Sequence, residues 1–554
     1  MSTIDSIEKS KSDESNIKDD RQHPESIVAA IDIGTNSIHM VIARVDPKLP
    51  AFTIIAKEKD TVRLGEKDPK TGNLTKVAMD RAFAALERCQ ELASSLNADR
   101  IIAVATSAVR EAPNGRNFIQ KIALKLGLYV DLISGVEEAR RIYLGVLSAL
   151  EFDQQPHIII DIGGGSTEII LADDRDARFL SSTKIGAVRL TEDLVKSDPI
   201  NHEDFKNLRA HIKGMLERPI ERLRAELKQD EIPRLVGTSG TIETLATIHA
   251  LKHLGSTPNP LNGYKITYKD VENIVASLAK MNYSERFATP GISDKRAEII
   301  LAGATILLEA MSLLKTDSLV VCERSLREGI IVNWMLDRGL IASRLGYQSQ
   351  VRARSVMKIA YKYQVELDYS QRIANFAVDL FERTAGMLHN WDYSYRQLLW
   401  AAAILHNCGV YISHSAHHKH SYYLIRHAEL LGFTELDLEI IANIARYHRK
   451  SKPKKKHDNY QKLPDKQSRH LVSELSAMLR IAVALDRRKI GAIKGLKCEY
   501  DRDRKILYLH LIPSFPNDDC ALELWSLNYK KQPFEEEYGV AVLSLLDSFT
   551  PGLN

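Results

Sequence analysis

Two motifs recur in order and at nearly the same separation, and this repeat limits what the chain can fold into more than any other feature. Asp32-Ile33-Gly34 returns as Asp161-Ile162-Gly163, and Ala105-Thr106-Ser107-Ala108 returns as Gly237-Thr238-Ser239-Gly240. Asp32 and Ser107 lie 75 residues apart, and Asp161 and Ser239 lie 78 apart. Chance likeness between two glycine turns would not fix the second spacing; duplication of one α/β unit does. Each copy reads as a buried strand, a Gly turn and a second strand, followed later by a strand that runs through a small-residue loop into a helix.

The rest of the chain follows from that frame. Residues 1–24 are polar, charge-rich and without an apolar run, so they are expected to be a disordered tail. The two α/β units are expected at 25–150 and 151–340. From 345 to 494 helical periodicity dominates, glycines are few, and seven histidines fall between His406 and His448. From 495 to 554 the alternation of a small α+β unit takes over. Apolar residues at 44% and charged residues at 27% fit folded, water-exposed domains. With 76 Lys and Arg against 72 Asp and Glu the net charge is +4, which argues against a nucleic-acid coat and predicts no nucleic-acid partner. Five scattered cysteines without a CxxC pair read as free thiols, and no membrane span or secretory leader is evident, so a cytoplasmic location is expected.

Four segments carry chemistry. In Asp32-Ile33-Gly34-Thr35-Asn36-Ser37 a strand delivers a carboxylate, and the turn can aim N–H groups and the Thr35 and Ser37 hydroxyls at a phosphate; an ordinary hairpin would use the same residues. Gly163, Gly164, Gly165 and Ser166 form a richer turn between Asp161 and Glu168, a set suited to a phosphate with its Mg²⁺. Gly237-Thr238-Ser239-Gly240 opens a helix, where anion binding and plain N-capping are both open. Arg110 follows the Thr106-Ser107 loop and could clamp a phosphate or make a surface ion pair. In SGVEEARR (134–141) Glu137 and Glu138 diverge by about 100°, so only one can face a cleft.

Together these segments resemble a known family. DIGTNS (32–37), TSAVRE (106–111), SGVEEAR (134–140), DIGGGSTE (161–168), KIGAVRL (184–190), GTSGT (237–241) and DKRAEIILAGA (294–304) succeed one another as in the exopolyphosphatase/guanosine pentaphosphate phosphatase family, over roughly residues 25–335 and more loosely beyond. The resemblance implies two ribonuclease-H-like domains of the actin/hsp70/sugar-kinase superfold facing a cleft, followed by an all-α HD-like domain and a small α+β tail. It implies Glu138 as the catalytic base, Arg110 as a phosphate-binding arginine, and Asp161 and Glu168 as metal-linked carboxylates for Mg²⁺ or Mn²⁺. Asp32, Gly34, Asn36 and Ser37 match the first phosphate loop.

An HD-type metal site needs an early His, a His-Asp pair and a later Asp. Here His406 is followed by Asn407, no His occurs between 341 and 388, and Asp486 is the only candidate for the last ligand. Amide oxygen is a weaker ligand than carboxylate. A structural or substrate-holding role is therefore expected, with His414, His418, Lys419, His420, Arg446, His448 and Arg449 as a path for a polyanion. The expected activity is release of terminal phosphate from inorganic polyphosphate. Guanosine pentaphosphate is the alternative substrate, and an actin-like nucleotide switch the distant one. A homodimer is compatible with the large helical half, without a residue that argues for it.

Overall fold

The computed structural model describes residues 25–547 apart from 48, 50, 153–154 and 342–349. The expected tail at 1–24 lies outside the described residues. The first sheet contains β1 (Ser26–Ile33), β2 (Ser37–Asp46), β3 (Ala51–Thr61), β4 (Arg100–Ala105) and β5 (Val130–Leu132), in the order β3-β2-β1-β4-β5. β1 pairs antiparallel with β2, β2 antiparallel with β3, and β1 parallel with β4, which pairs parallel with β5.

The second sheet repeats this arrangement. β6 (His157–Ile162), β7 (Thr167–Ala172), β8 (Ala177–Thr183), β9 (Arg234–Thr238) and β11 (Ser318–Val321) lie in the order β8-β7-β6-β9-β11, with the same sequence of antiparallel and parallel pairings. A further strand, β10 (Lys265–Thr267), is added antiparallel at the β11 edge. The two sheets thus match, as the repeat predicts, with the ribonuclease-H-like order that the resemblance implies. The central strands β6 and β7 are buried at every position, their Ile and Leu residues filling the core and His157, Asp161, Thr167 and Glu168 buried with them.

The sheets are joined by an exchange of helices. The helix Gly135–Leu147 follows the first sheet but packs on β7 and β8, while Leu326–Asp337 follows the second sheet and packs on β1 and β2. Both bury their apolar sides in one core with Val28, Ala30, Val41, Ile159 and Ile170. They cross at Gly145 and Gly329, where a Cβ on Gly145 would collide with the Ser325 carbonyl and one on Gly329 with the Arg141 carbonyl.

Beyond residue 350 a bundle of helices includes Leu367–Thr384, Tyr395–Leu405, Glu435–Arg446 and Lys466–Ala484. Its apolar core continues without a break into Leu507, Leu509, Leu511, Leu527, Phe534 and Val542, which lie on the sheet β12 (Ile493–Asp501), β13 (Ile506–Pro513), β14 (Ala541–Leu546) and its two helices. The tail expected from 495 therefore shares the core of the helical bundle. Among the described residues no helix is long and apolar enough to cross a membrane.

Gly329→Ala should destabilise the chain by about 1–3 kcal/mol or more, because the backbone it meets cannot move aside without parting the helices. Calorimetry should show a lower Tm for Gly329→Ala, and an equal or higher one for Gly214→Ala, which lies inside the helix His202–Ala225 and whose Cβ would meet nothing within 4 Å.

Candidate active site

The two DIG turns face each other across a cleft of about 390 Å³. They are built alike: Gly34 N–H donates to Ser37 O at 3.1 Å, and Gly163 N–H donates to Ser166 O at 3.0 Å. Among the described residues no acceptor takes the N–H groups of Thr35, Asn36, Gly164 or Gly165. Two rows of free donors therefore flank the cleft, an arrangement that suits phosphate oxygens. The glycines also serve the fold. A Cβ on Gly165 would lie 2.6 Å from both the Ser107 and Thr35 hydroxyls, which share a 2.9 Å hydrogen bond. Much of the room that Gly165 leaves is thus occupied by the facing loop.

Asp32, Gly34, Thr35, Asn36, Ser37, Gly163, Gly164, Gly165, Ser166, Ser239 and Gly240 all line the cleft, together with Glu138, Asp161 and Glu168. Gly237 and Thr238 do not. They lie inside β9, where the Thr238 hydroxyl donates to the Arg324 carbonyl at 2.9 Å and a Cβ at Gly237 would meet Leu319 and Ile242. Ser239 takes φ 78° and ψ 162°, a backbone region almost reserved for glycine that costs on the order of 1–3 kcal/mol. This is the point where the chain turns from β9 into the helix Gly240–Leu254.

The two neighbouring glutamates separate as the helical geometry requires. Glu137 is held at the surface by Arg140 and Arg141, each at 2.7 Å. Glu138 is buried, 7% exposed, at the wall of the cleft. Ser134 caps this helix by accepting from Glu137 N–H at 3.1 Å. Arg110 sits behind the base, donating from Nη1 to the Ile133 carbonyl at 2.9 Å and to Glu138 Oε2 at 3.1 Å. In this arrangement Arg110 holds the carboxylate, and it is not among the cleft-lining residues.

Four carboxyl groups gather in this enclosed space, and burial raises them all. Glu138 is pushed up to about 8, with Arg110 opposing and Asp32 and Asp161 adding to the rise. Asp32 is pushed up to about 7, opposed by Arg327. Asp161 is raised although the Ser325 and Ser239 hydroxyls oppose it, and Glu168 is raised well above the usual carboxyl range by burial and then by Glu138 and Asp161. Ser325 donates to Asp161 Oδ2, and Ser182 donates to Glu168 Oε1 at 2.7 Å. Among the described residues, Asp32 Oδ1 is buried with no hydrogen-bond partner.

The cleft contains cations that the sequence did not mark. Arg296, Arg327, Lys57 and Lys59 all line it, with Thr106, Ser107 and His39, which burial lowers to about 2 and so leaves neutral. The guanidinium of Arg296 lies so close over Gly240 that a Cβ there would strike it. Arg296 belongs to the DKRAEI segment, to which the sequence alone assigns no role. Thr106 and Ser107 are the counterparts of Thr238 and Ser239, so the repeat itself pointed to them.

This site and the doubled fold coincide with a known group. The profile of the Ppx/GppA phosphatase family matches residues 41–338, and that of Ppx/GppA phosphatase domain III matches residues 351–531. The chain belongs to the Ppx/GppA phosphatase family. A Vibrio vulnificus (strain YJ016) protein named guanosine-5'-triphosphate,3'-diphosphate pyrophosphatase is 29% identical over 506 residues, 90% of this chain and 95% of its own. The crystal structure of an exopolyphosphatase from Cytophaga hutchinsonii is 26% identical and covers 57% of this chain and 100% of its own, with a TM-score of 0.53. An Aquifex aeolicus family member is 30% identical and covers 57% of this chain and 99% of its own, with a TM-score of 0.49. The chain is accordingly an enzyme of the phosphoanhydride-hydrolysing class.

The residues of the expected histidine and arginine path lie outside the cleft and the cavity that adjoins it. His418 and His448 are buried, and burial lowers both, His418 to about 4 with Arg449 adding to the effect, so they are neutral at pH 7 and do not attract a polyanion. His414 and Lys419 are exposed, and His420, Arg446 and Arg449 are half-buried. None of the seven lines the cleft or the cavity that adjoins it. Asp486, the last candidate HD-type ligand, accepts instead from Arg372 Nε at 2.8 Å and from Gly491 N–H at 2.9 Å.

The raised carboxyls make a pH prediction. Between about pH 4 and 8 these groups hold more protons folded than unfolded, so their contribution to stability falls as pH rises through that window. With divalent ions chelated, Tm should decline from pH 5 to pH 8, and Glu138→Gln should decline less than wild type. Equal slopes in a fluorimetric melt would remove Glu138 from the cause.

Proposed function

We propose that the family's chemistry takes the form here of terminal phosphate release from inorganic polyphosphate, with Glu138 as the base. The observation that carries this reading is the continuation of the cleft. At Lys57 and Glu323 it adjoins a second cavity of about 250 Å³, bounded by Arg324 and by Arg426, His427 and Glu429 of the helical region. A terminal phosphoryl group fits between the two free-donor turns, and the rest of a chain extends past Lys57 towards Arg324 and Arg426.

Glu138 would take a proton from water as that water attacks phosphorus in line with the breaking P–O bond. The N–H groups of Thr35, Asn36, Gly164 and Gly165, with Arg296 and Arg327, would stabilise charge on the equatorial oxygens. Arg110 positions the base and keeps its carboxyl from rising further.

The donor set suits a hard divalent cation. Asp32 offers a buried oxygen without a partner, and Asp161 and Glu168 stand beside it in a cluster of like charges. Mg²⁺ keeps several waters and needs only one or two carboxylates plus substrate oxygens, so a full protein cage is not required. Asp32, Asp161 and Glu168 would hold it, and it would offset phosphate charge. Mn²⁺ suits the same donors.

A second reading, 5'-phosphate release from guanosine pentaphosphate, is favoured by the charge of the adjoining cavity. Lys57, Arg324 and Arg426 are balanced there by Glu323, Glu328 and Glu429, which suits an uncharged nucleoside. The name of the Vibrio relative agrees with it.

The deciding assay is phosphate release with Mg²⁺ from long-chain polyphosphate and from guanosine pentaphosphate at equal terminal phosphate. Faster release from polyphosphate supports the first reading, and faster release from the nucleotide replaces it with the second. Glu138→Ala should lower kcat by about 10²–10⁴-fold while polyphosphate binding persists. Loss of binding in parallel would count against its role as base.

A further inference from the structure

We propose that His249, His253 and Asp270 form a binding site for a transition metal of the Zn²⁺ class, outside the catalytic cleft. His249 and His253 are one helical turn apart on Gly240–Leu254, so their rings share a face, with centroids 4.3 Å apart. Asp270 comes from the first turn of the neighbouring helix Tyr268–Leu278. One ligating atom from each of the three lies within 4.8 Å of the others, and among the described residues no other trio of His, Cys, Asp or Glu meets that condition.

The detail fits ligation. His249 Nδ1 is 2.8 Å from the Tyr264 hydroxyl, which leaves Nε2 to face Asp270 Oδ2 at 3.3 Å. Metal bonds of about 2.0–2.1 Å in a tetrahedron place neighbouring ligand atoms about 3.3 Å apart. Tyr264 supplies the outer hydrogen bond that fixes a ligating imidazole. Asp270 is held in place by its capping box, accepting from Thr267 N–H at 3.0 Å.

Two imidazoles and a carboxylate are softer donors than the oxygen-only set of the cleft, so the two sites should select different ions. His249 lies nine residues beyond Gly240, about 14 Å along the helix at 1.5 Å per residue. A bound ion would tie this helix to Tyr268–Leu278 without entering the cleft. Three protein ligands leave a fourth position for water.

The test is a titration of the chelator-stripped full-length protein with Co²⁺, read by the visible absorption of tetrahedral Co²⁺, and with Zn²⁺ by calorimetry. Wild type should bind one more equivalent than His253→Ala, and the tetrahedral band should be absent from the variant. His253 is exposed, so this substitution should leave the fold intact. Tyr264→Phe should keep the stoichiometry and weaken affinity by about 10–100-fold. Equal stoichiometry and equal spectra for wild type and His253→Ala would overturn the site, whatever other histidines bind.

Discussion

The contact between the backbones of Gly145 and Gly329 is the constraint on which the rest depends. Each of the two sheets leaves one apolar face that its own repeat does not cover. The exchange of Gly135–Leu147 and Leu326–Asp337 covers both faces at once, and it works only if the two helices touch without side chains between them. The same exchange carries Glu138, a residue of the first repeat, to the wall of the second, where Gly135 packs directly against Ser182 and Glu168 lies close by. The crossing that closes the core therefore also assembles the site.

Duplication supplies the rest of the site almost without further invention. Two copies of one turn, each closed by the same Gly-to-Ser hydrogen bond, face each other with their remaining N–H groups free. What differs between the copies is the charge around them. Asp32 and Asp161 occupy matching positions, yet Asp161 is held by Ser325 while Asp32 keeps an oxygen without a partner. Equivalent backbones thus present unequal carboxylates.

Much of this was legible because it rests on local rules. The spacing of the repeated motifs foretold two matching sheets, and the 100° step between helical neighbours foretold that Glu137 and Glu138 would part. Gly237 and Thr238 were misplaced because a small-residue loop and the end of a buried strand look alike in sequence; only the packing of Leu319 and Ile242 separates them. Lys57 and Lys59 sit in β3, whose alternating Lys-Glu-Lys-Asp reads as an ordinary solvent-facing edge, and Arg296 and Arg327 reach the cleft from segments more than a hundred residues beyond the second turn. Their role is set by tertiary approach alone.

The helical half shows why counting histidines and basic residues misleads. A histidine attracts phosphate only when charged, and burial among arginines and other histidines removes that charge from His418 and His448. The arginines that line the adjoining cavity, Arg324 and Arg426, come with Glu429, Glu435 and Glu439 as partners. A polyanion entering there must compete with those carboxylates for each guanidinium, so its hold is a sum of exchanges of one ion pair for another.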